Sequence, residues 1–149
     1  MENLQTENIL NLRDDIVISE AELRHIVTSE MIRVGLMPSL TGFRYFKEMV
    51  LISLQQKYGD IKTMGLYALV AEMFGIRADA LERSVRTLVT SSFYTSNGFS
   101  MLSKFFGFSS IELPSVGQAL KLLDEYIMFN LFEQSMDKSE KRIFARRDK

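Results

Sequence analysis

Leu66-Tyr67-Ala68-Leu69-Val70-Ala71-Glu72-Met73-Phe74-Gly75-Ile76-Arg77-Ala78-Asp79-Ala80-Leu81-Glu82-Arg83 is the stretch on which the fold turns. Apolar residues recur at helical spacing up to Phe74 and resume at Leu81. Gly75 between them suits the left-handed position that closes a helix. Small Ala71 falls where two helices would cross, and Gly75 follows four residues later. The layout predicts a helix from about 62 to 74, a glycine turn, and a second helix from about 78 to 92. Such a helix-turn-helix sends its second helix into the DNA major groove. Leu81, Val85, Leu88 and Val89 form the inner stripe of that second helix. Its polar face presents Asp79, Glu82, Arg83, Arg86 and Thr87. Arg grips guanine O6 and N7 in a bidentate way, and Glu accepts from cytosine N4. Two short helices around a glycine turn also occur in domains that never meet DNA. Glu82 and Arg86 at i, i+4 also suit a plain surface ion pair.

Working outward, helical periodicity continues on both sides. Ser19-Glu20-Ala21-Glu22 reads as a capping box opening a helix that carries Leu23, Ile26, Val27, Met31 and Val34 and stops at Gly35. A further helix is expected from about Gly42 to Tyr58, with Phe43, Phe46, Met49, Val50 and Leu54 on one face. Met64, Leu66, Tyr67, Leu69, Val70 and Met73 are the apolar residues of the next. Beyond residue 98 a short apolar helix is expected over Phe99–Phe106. Pro114 then opens a long final helix with Leu120, Leu123, Tyr126, Ile127 and Leu131 inside. Phe105, Phe106 and Phe108 read as core. The fold class is all-α, about six helices with no sheet core.

The whole chain has 149 residues, 18 Lys+Arg, 19 Asp+Glu, one His, no Cys and no Trp. That length fits one domain. Zero Cys excludes disulfides, thiolate metal sites and cysteine nucleophiles. A single His excludes His-pair metal sites, and His25 reads as a surface residue. No catalytic or metal-ligating residue and no cofactor are expected. No apolar run reaches the ~18–20 residues of a membrane span. Met1 to Asp15 show no secretory signal, so a cytoplasmic location without membrane contact is expected. Charge is uneven. Residues 1–30 hold seven acids against Arg13 and Arg24, and residues 137–149 hold six bases against three acids. Residues 1–18 therefore read as an acidic tail, 19–134 as the domain, and 135–149 as a basic tail.

The chain resembles the C-terminal effector domain of the stage-zero sporulation master regulator family. Gly35, six residues, then Gly42-Phe43-Arg44-Tyr45-Phe46-Lys47-Glu48 is similar to that family's glycine–glycine–aromatic segment. Val70-Ala71-Glu72-Met73-Phe74 is similar to its first motif helix. Leu81-Glu82-Arg83-Ser84-Val85-Arg86 is similar to its recognition helix, and Phe106-Gly107-Phe108 with Pro114 to its end. The resemblance covers roughly residues 22–127. It implies a helical domain that binds double-stranded DNA in tandem and regulates sporulation genes, with Glu82, Arg83 and Arg86 facing the bases. Lys62, Arg77 and Thr87 are the expected backbone contacts. Two positions depart from the family: Ala80 stands where an Arg is common, and Asp79 where a small hydroxyl is usual. Only some 20 residues precede the effector-like region, so no receiver domain is expected.

Two functions follow. One is a DNA-binding transcription regulator. The other is a protein-interaction module of the same fold, acting on another regulator. Region 58–108 has five bases and four acids, thin for a binder that works by neutralising phosphate. No acid–base–nucleophile set points to an enzyme.

Overall fold

The computed structural model of the chain describes residues 8–93 and 113–147, with side chains through residue 136. The protein is mostly helical, with five α-helices among the described residues: α1 (Glu20–Arg33), α2 (Thr41–Leu54), α3 (Thr63–Phe74), α4 (Ala78–Phe93) and α5 (Val116–Arg147). A two-stranded antiparallel ribbon, β1 (Ile9–Asn11) and β2 (Val17–Ser19), precedes them, with Leu10 opposite Ile18. The helix expected over Phe99–Phe106, and the core reading of Phe105, Phe106 and Phe108, lie outside the described residues.

The helices form where the apolar stripes predict. Ser19 caps α1, its Oγ accepting from the Glu22 N–H at 3.2 Å. Leu23, Val27 and Met31 are fully buried on that helix. Helix α2 is the hub. It packs against α1, α3, α4 and α5, and Phe46, Met49, Val50 and Leu54 on it have no exposure at all. That explains its largely apolar sequence, since neighbours on several sides leave only Thr41, Arg44 and partly Lys47 and Ser53 in contact with water. It ends at Leu54, short of the expected Tyr58. Residues 56–58 tighten into a 3₁₀ turn before Gly59, whose φ of 63° stops the chain's helical path.

Charge also locks α1 to α2. Arg24 donates to both carboxylate oxygens of buried Glu48, Nη1 to Oε2 at 2.6 Å and Nη2 to Oε1 at 3.0 Å. Its Nε reaches Glu20 at 2.9 Å. The Glu48 bonds, more than the opposing burial, raise the guanidinium pKa above its ordinary value.

Two expectations need correction. The acidic segment before residue 19 is not a loose tail over residues 9–18. It is the ribbon, and Leu12 between its strands is fully buried and bridges to Gln55. The density of acids hid Leu10, Leu12 and Ile18, which alternate toward the core. Met64 and Met73, counted among the apolar residues of α3, are 69% and 56% exposed. The fully buried stripe of α3 is narrow (Leu66, Tyr67, Val70, Ala71), with Leu69 and Phe74 partly buried against the core. Finally, α5 continues without a break through the expected basic tail to Arg147. No helix among the described residues is long and apolar enough to cross a membrane.

Candidate nucleic-acid interface

The join between α3 and α4 is fixed by local chemistry. Gly75 is left-handed, with φ 65° and ψ 36°. The Gly75 N–H donates to the Glu72 carbonyl and the Ile76 N–H to the Ala71 carbonyl. Those two bonds make a Schellman cap, which needs the positive φ that glycine adopts freely. Just before the turn, the Phe74 ring meets Tyr45 edge-on at 4.8 Å, and the Arg44 guanidinium lies 5.2 Å from both ring centres. The turn is therefore tied to α2. On the other side, Leu81, Val85, Leu88 and Val89 are buried. Burial of that stripe decides which face of α4 points outward. α2 and α4 touch closely at Gly42, where a Cβ would fall 2.2 Å from the Ser84 carbonyl oxygen.

The outward face carries the residues singled out from sequence. Asp79, Arg83, Arg86 and Thr87 are exposed and Glu82 is partly so. Their charges are largely committed to each other. Arg86 Nη2 donates to Glu82 Oε1. Arg77 makes a two-pronged pair with Asp79, Nε to Oδ1 and Nη2 to Oδ2, each at 3.1 Å. Asp79 Oδ1 also accepts from the Ala80 N–H at 2.9 Å. An acid in the first turn suits the positive end of the helix dipole. Asp79 therefore neutralises Arg77 and tethers the start of α4, beyond the simple phosphate repulsion its charge suggests. Arg83 makes no ion pair among the described residues.

Lys62 is exposed but stands just before α3, at the opposite end from the turn and about 18 Å of helix away. The structure does not bring it together with Arg77. It groups instead with Ser53, Asp60, Lys121, Asp124 and Glu125 around a pocket of about 270 Å³. Two residues near the α4 face were not assigned from sequence. Arg44 sits beside the turn through its stacking. Tyr67 on α3 is buried beneath the Glu82–Arg86 pair; burial, then the Glu82 charge, raise its phenol pKa above the ordinary value. Tyr67 read only as one residue of an apolar stripe, and Arg44 as a polar residue off one. Neither spacing reveals contacts made across helices.

Asp124 is the other unusual group. Its carboxyl is buried, Ser53 Oγ donates to Oδ2, and Oδ1 has no partner among the described residues. Arg13 Nη2 approaches to 4.0 Å. Burial outweighs both and pushes the pKa up to about 7.

Comparison with known proteins places these features in a family. A family model described as sporulation initiation factor Spo0A C terminal matches residues 27–127. That span runs from the middle of α1 into α5 and includes the whole α3–α4 unit. No curated protein matches the chain.

Proposed function

The chain belongs to the sporulation initiation factor Spo0A C-terminal family, and on that premise we propose that it is a DNA-binding transcription regulator, cytoplasmic and regulatory rather than catalytic. α3 and α4 serve as the helix-turn-helix, with α4 in the major groove of double-stranded DNA. Arg83 and Arg86 meet base edges, and Glu82 meets a cytosine amine once DNA contact opens its pair with Arg86. Arg77 and Arg44 meet phosphates near the turn, Thr87 one further along α4, and Lys62 a more distant one. The observation that carries this reading is the orientation of α4. Its apolar stripe is sunk in the core while Arg83, Arg86 and Thr87 remain exposed beyond a fixed glycine turn. Two copies in tandem on adjacent half-sites fit the family.

A second reading is favoured by the charge pairing. Arg77 and Arg86 both hold carboxylates, so phosphate neutralisation starts from a weak surface potential. The same face then serves to contact another regulator. Titration of the chain against duplex DNA at a series of salt concentrations separates the two. For a DNA-binding regulator, affinity falls steeply with salt, and Arg83→Ala costs about 1–3 kcal/mol at one base position. Absence of salt-sensitive retention on any duplex at low ionic strength leaves the interaction module.

A further inference from the structure

The last stretch of α5 leaves the body of the protein with an apolar stripe uncovered. Leu123, Ile127 and Leu131 anchor the helix in the core. From Phe132 to Met136 every residue is exposed, and the helix nevertheless runs on to Arg147. Past those anchored turns α5 runs for some 16 further residues, about 24 Å at 1.5 Å per residue. A helix of that length is marginal in water without a packing partner. Phe129, Phe132 and Met136 are 62%, 46% and 47% exposed. Their i, i+3, i+7 spacing puts them on one face. Phe129 and Phe132 also line an open groove with Arg13, Asp14, Glu125 and Met128.

Charge along the helix says what covers this stripe. Residues 122–137 contain Asp124, Glu125, Glu133 and Asp137 and no base. Residues 138–147 contain Lys138, Lys141, Arg142, Arg146 and Arg147 against Glu140 alone. Glu125 and Glu133 are exposed and lie four residues either side of Phe129, flanking the apolar face. An identical helix laid antiparallel sets each acidic half against a basic half at both ends at once. A parallel arrangement sets like charges together. We propose that a second copy of this chain covers the stripe, in an antiparallel two-fold pairing of α5 that needs no DNA. Such a contact is isologous and closes on itself as a dimer. Most of the paired segment lies beyond residue 127, where the family match ends.

The test is sedimentation equilibrium of the full chain without DNA, at low and high ionic strength. A reversible dimer that loosens with added salt is the expected result, because the attraction is between opposite charges. Phe129→Glu with Phe132→Glu should raise the dissociation constant by about tenfold or more, with helical content otherwise kept in circular dichroism. Two charge-reversed chains complete the set. One carries Glu125→Lys and Glu133→Lys, the other Lys141→Glu and Arg142→Glu. Each alone should self-associate more weakly than the wild type, and an equimolar mixture should recover the dimer. A chain that stays monomeric at low salt overturns the proposal. So does a dimer that tightens with salt, which means like halves meet, or one indifferent to both phenylalanine changes. Because no DNA is present, failure here leaves the DNA-binding reading standing, and the reverse also holds.

Discussion

Asp79 shows how much a single side chain changes the surface of α4. It holds Arg77 by two bonds and caps the Ala80 N–H. Any phosphate that reaches Arg77 competes with that carboxylate. Asp79→Asn keeps the capping oxygen and removes the competing charge. Non-specific DNA affinity should rise, and the slope of log affinity against log salt should steepen by about one unit, as one cation becomes available. Unchanged slopes in the salt titration would show that Arg77 lies away from the DNA. Asp124 poses the opposite problem, a charge the fold disfavours. Burial raises its pKa from 3.8 to about 7, so between those values the folded state holds the proton better than the unfolded chain does. This group therefore favours folding most at low pH, loses that contribution as pH rises toward 7, and adds no further change above it. Of the charged groups around the same pocket (Arg13, Asp60, Lys62, Lys121 and Glu125), Arg13 tempers the effect and Glu125 adds to it. Asp124→Asn should stabilise the protein by about 2 kcal/mol at pH 8 and hardly at all at pH 4. Urea midpoints of the two proteins at both pH values measure this. A constant difference would mean the carboxyl is not the titrating group.

Among the elements, the α2–α4 crossing governs the candidate interface. Gly42 lets the α2 backbone rest on the backbone of Ser84, and an added Cβ would lie 2.2 Å from that carbonyl oxygen and 2.7 Å from its carbon. In an isolated helix, Gly→Ala gains about 1 kcal/mol. Here the obstacle is backbone, which cannot swing aside, so steric cost prevails. Gly42→Ala should lose about 1–3 kcal/mol in denaturant unfolding. A gain in stability would show that the helices separate freely. The glycine was visible in the sequence, but its reason was not, because Ser84 is 42 residues away. In contrast, the α3–α4 turn was legible. Gly75 and the stripes on either side act within a few residues of one another, and the Schellman cap forms where they place it.

For the molecule as a whole, the N-terminal ribbon belongs to the folded body. Leu12 is fully buried, its N–H donates to the Ile16 carbonyl at 2.8 Å, and it pairs with Gln55 after α2. Arg13 in the connecting turn reaches Asp124 on α5. The ribbon thus ties the end of α2 to the first turns of α5. Leu12→Ala should destabilise the whole protein by about 3 kcal/mol in a single cooperative transition. A change of only a few tenths would return residues 9–18 to the solvated tail their charge suggests.

The sequence by itself determined the helical class, the stripes that became the core, the glycine turn between α3 and α4, and the family. Those are local matters of periodicity, capping and short motifs, decided by residues within a turn or two of each other. Only the tertiary structure decided that Leu12 is core, that Met64 and Met73 are not, and that Lys62 stands apart from Arg77. It alone paired Arg77 with Asp79 and Arg24 with Glu48, whereas the i, i+4 spacing of Glu82 and Arg86 already suited the ion pair they form. Burial depends on which neighbours arrive from distant parts of the chain, and a charge takes whichever partner the packed helices bring within reach. Spacing along one helix encodes neither.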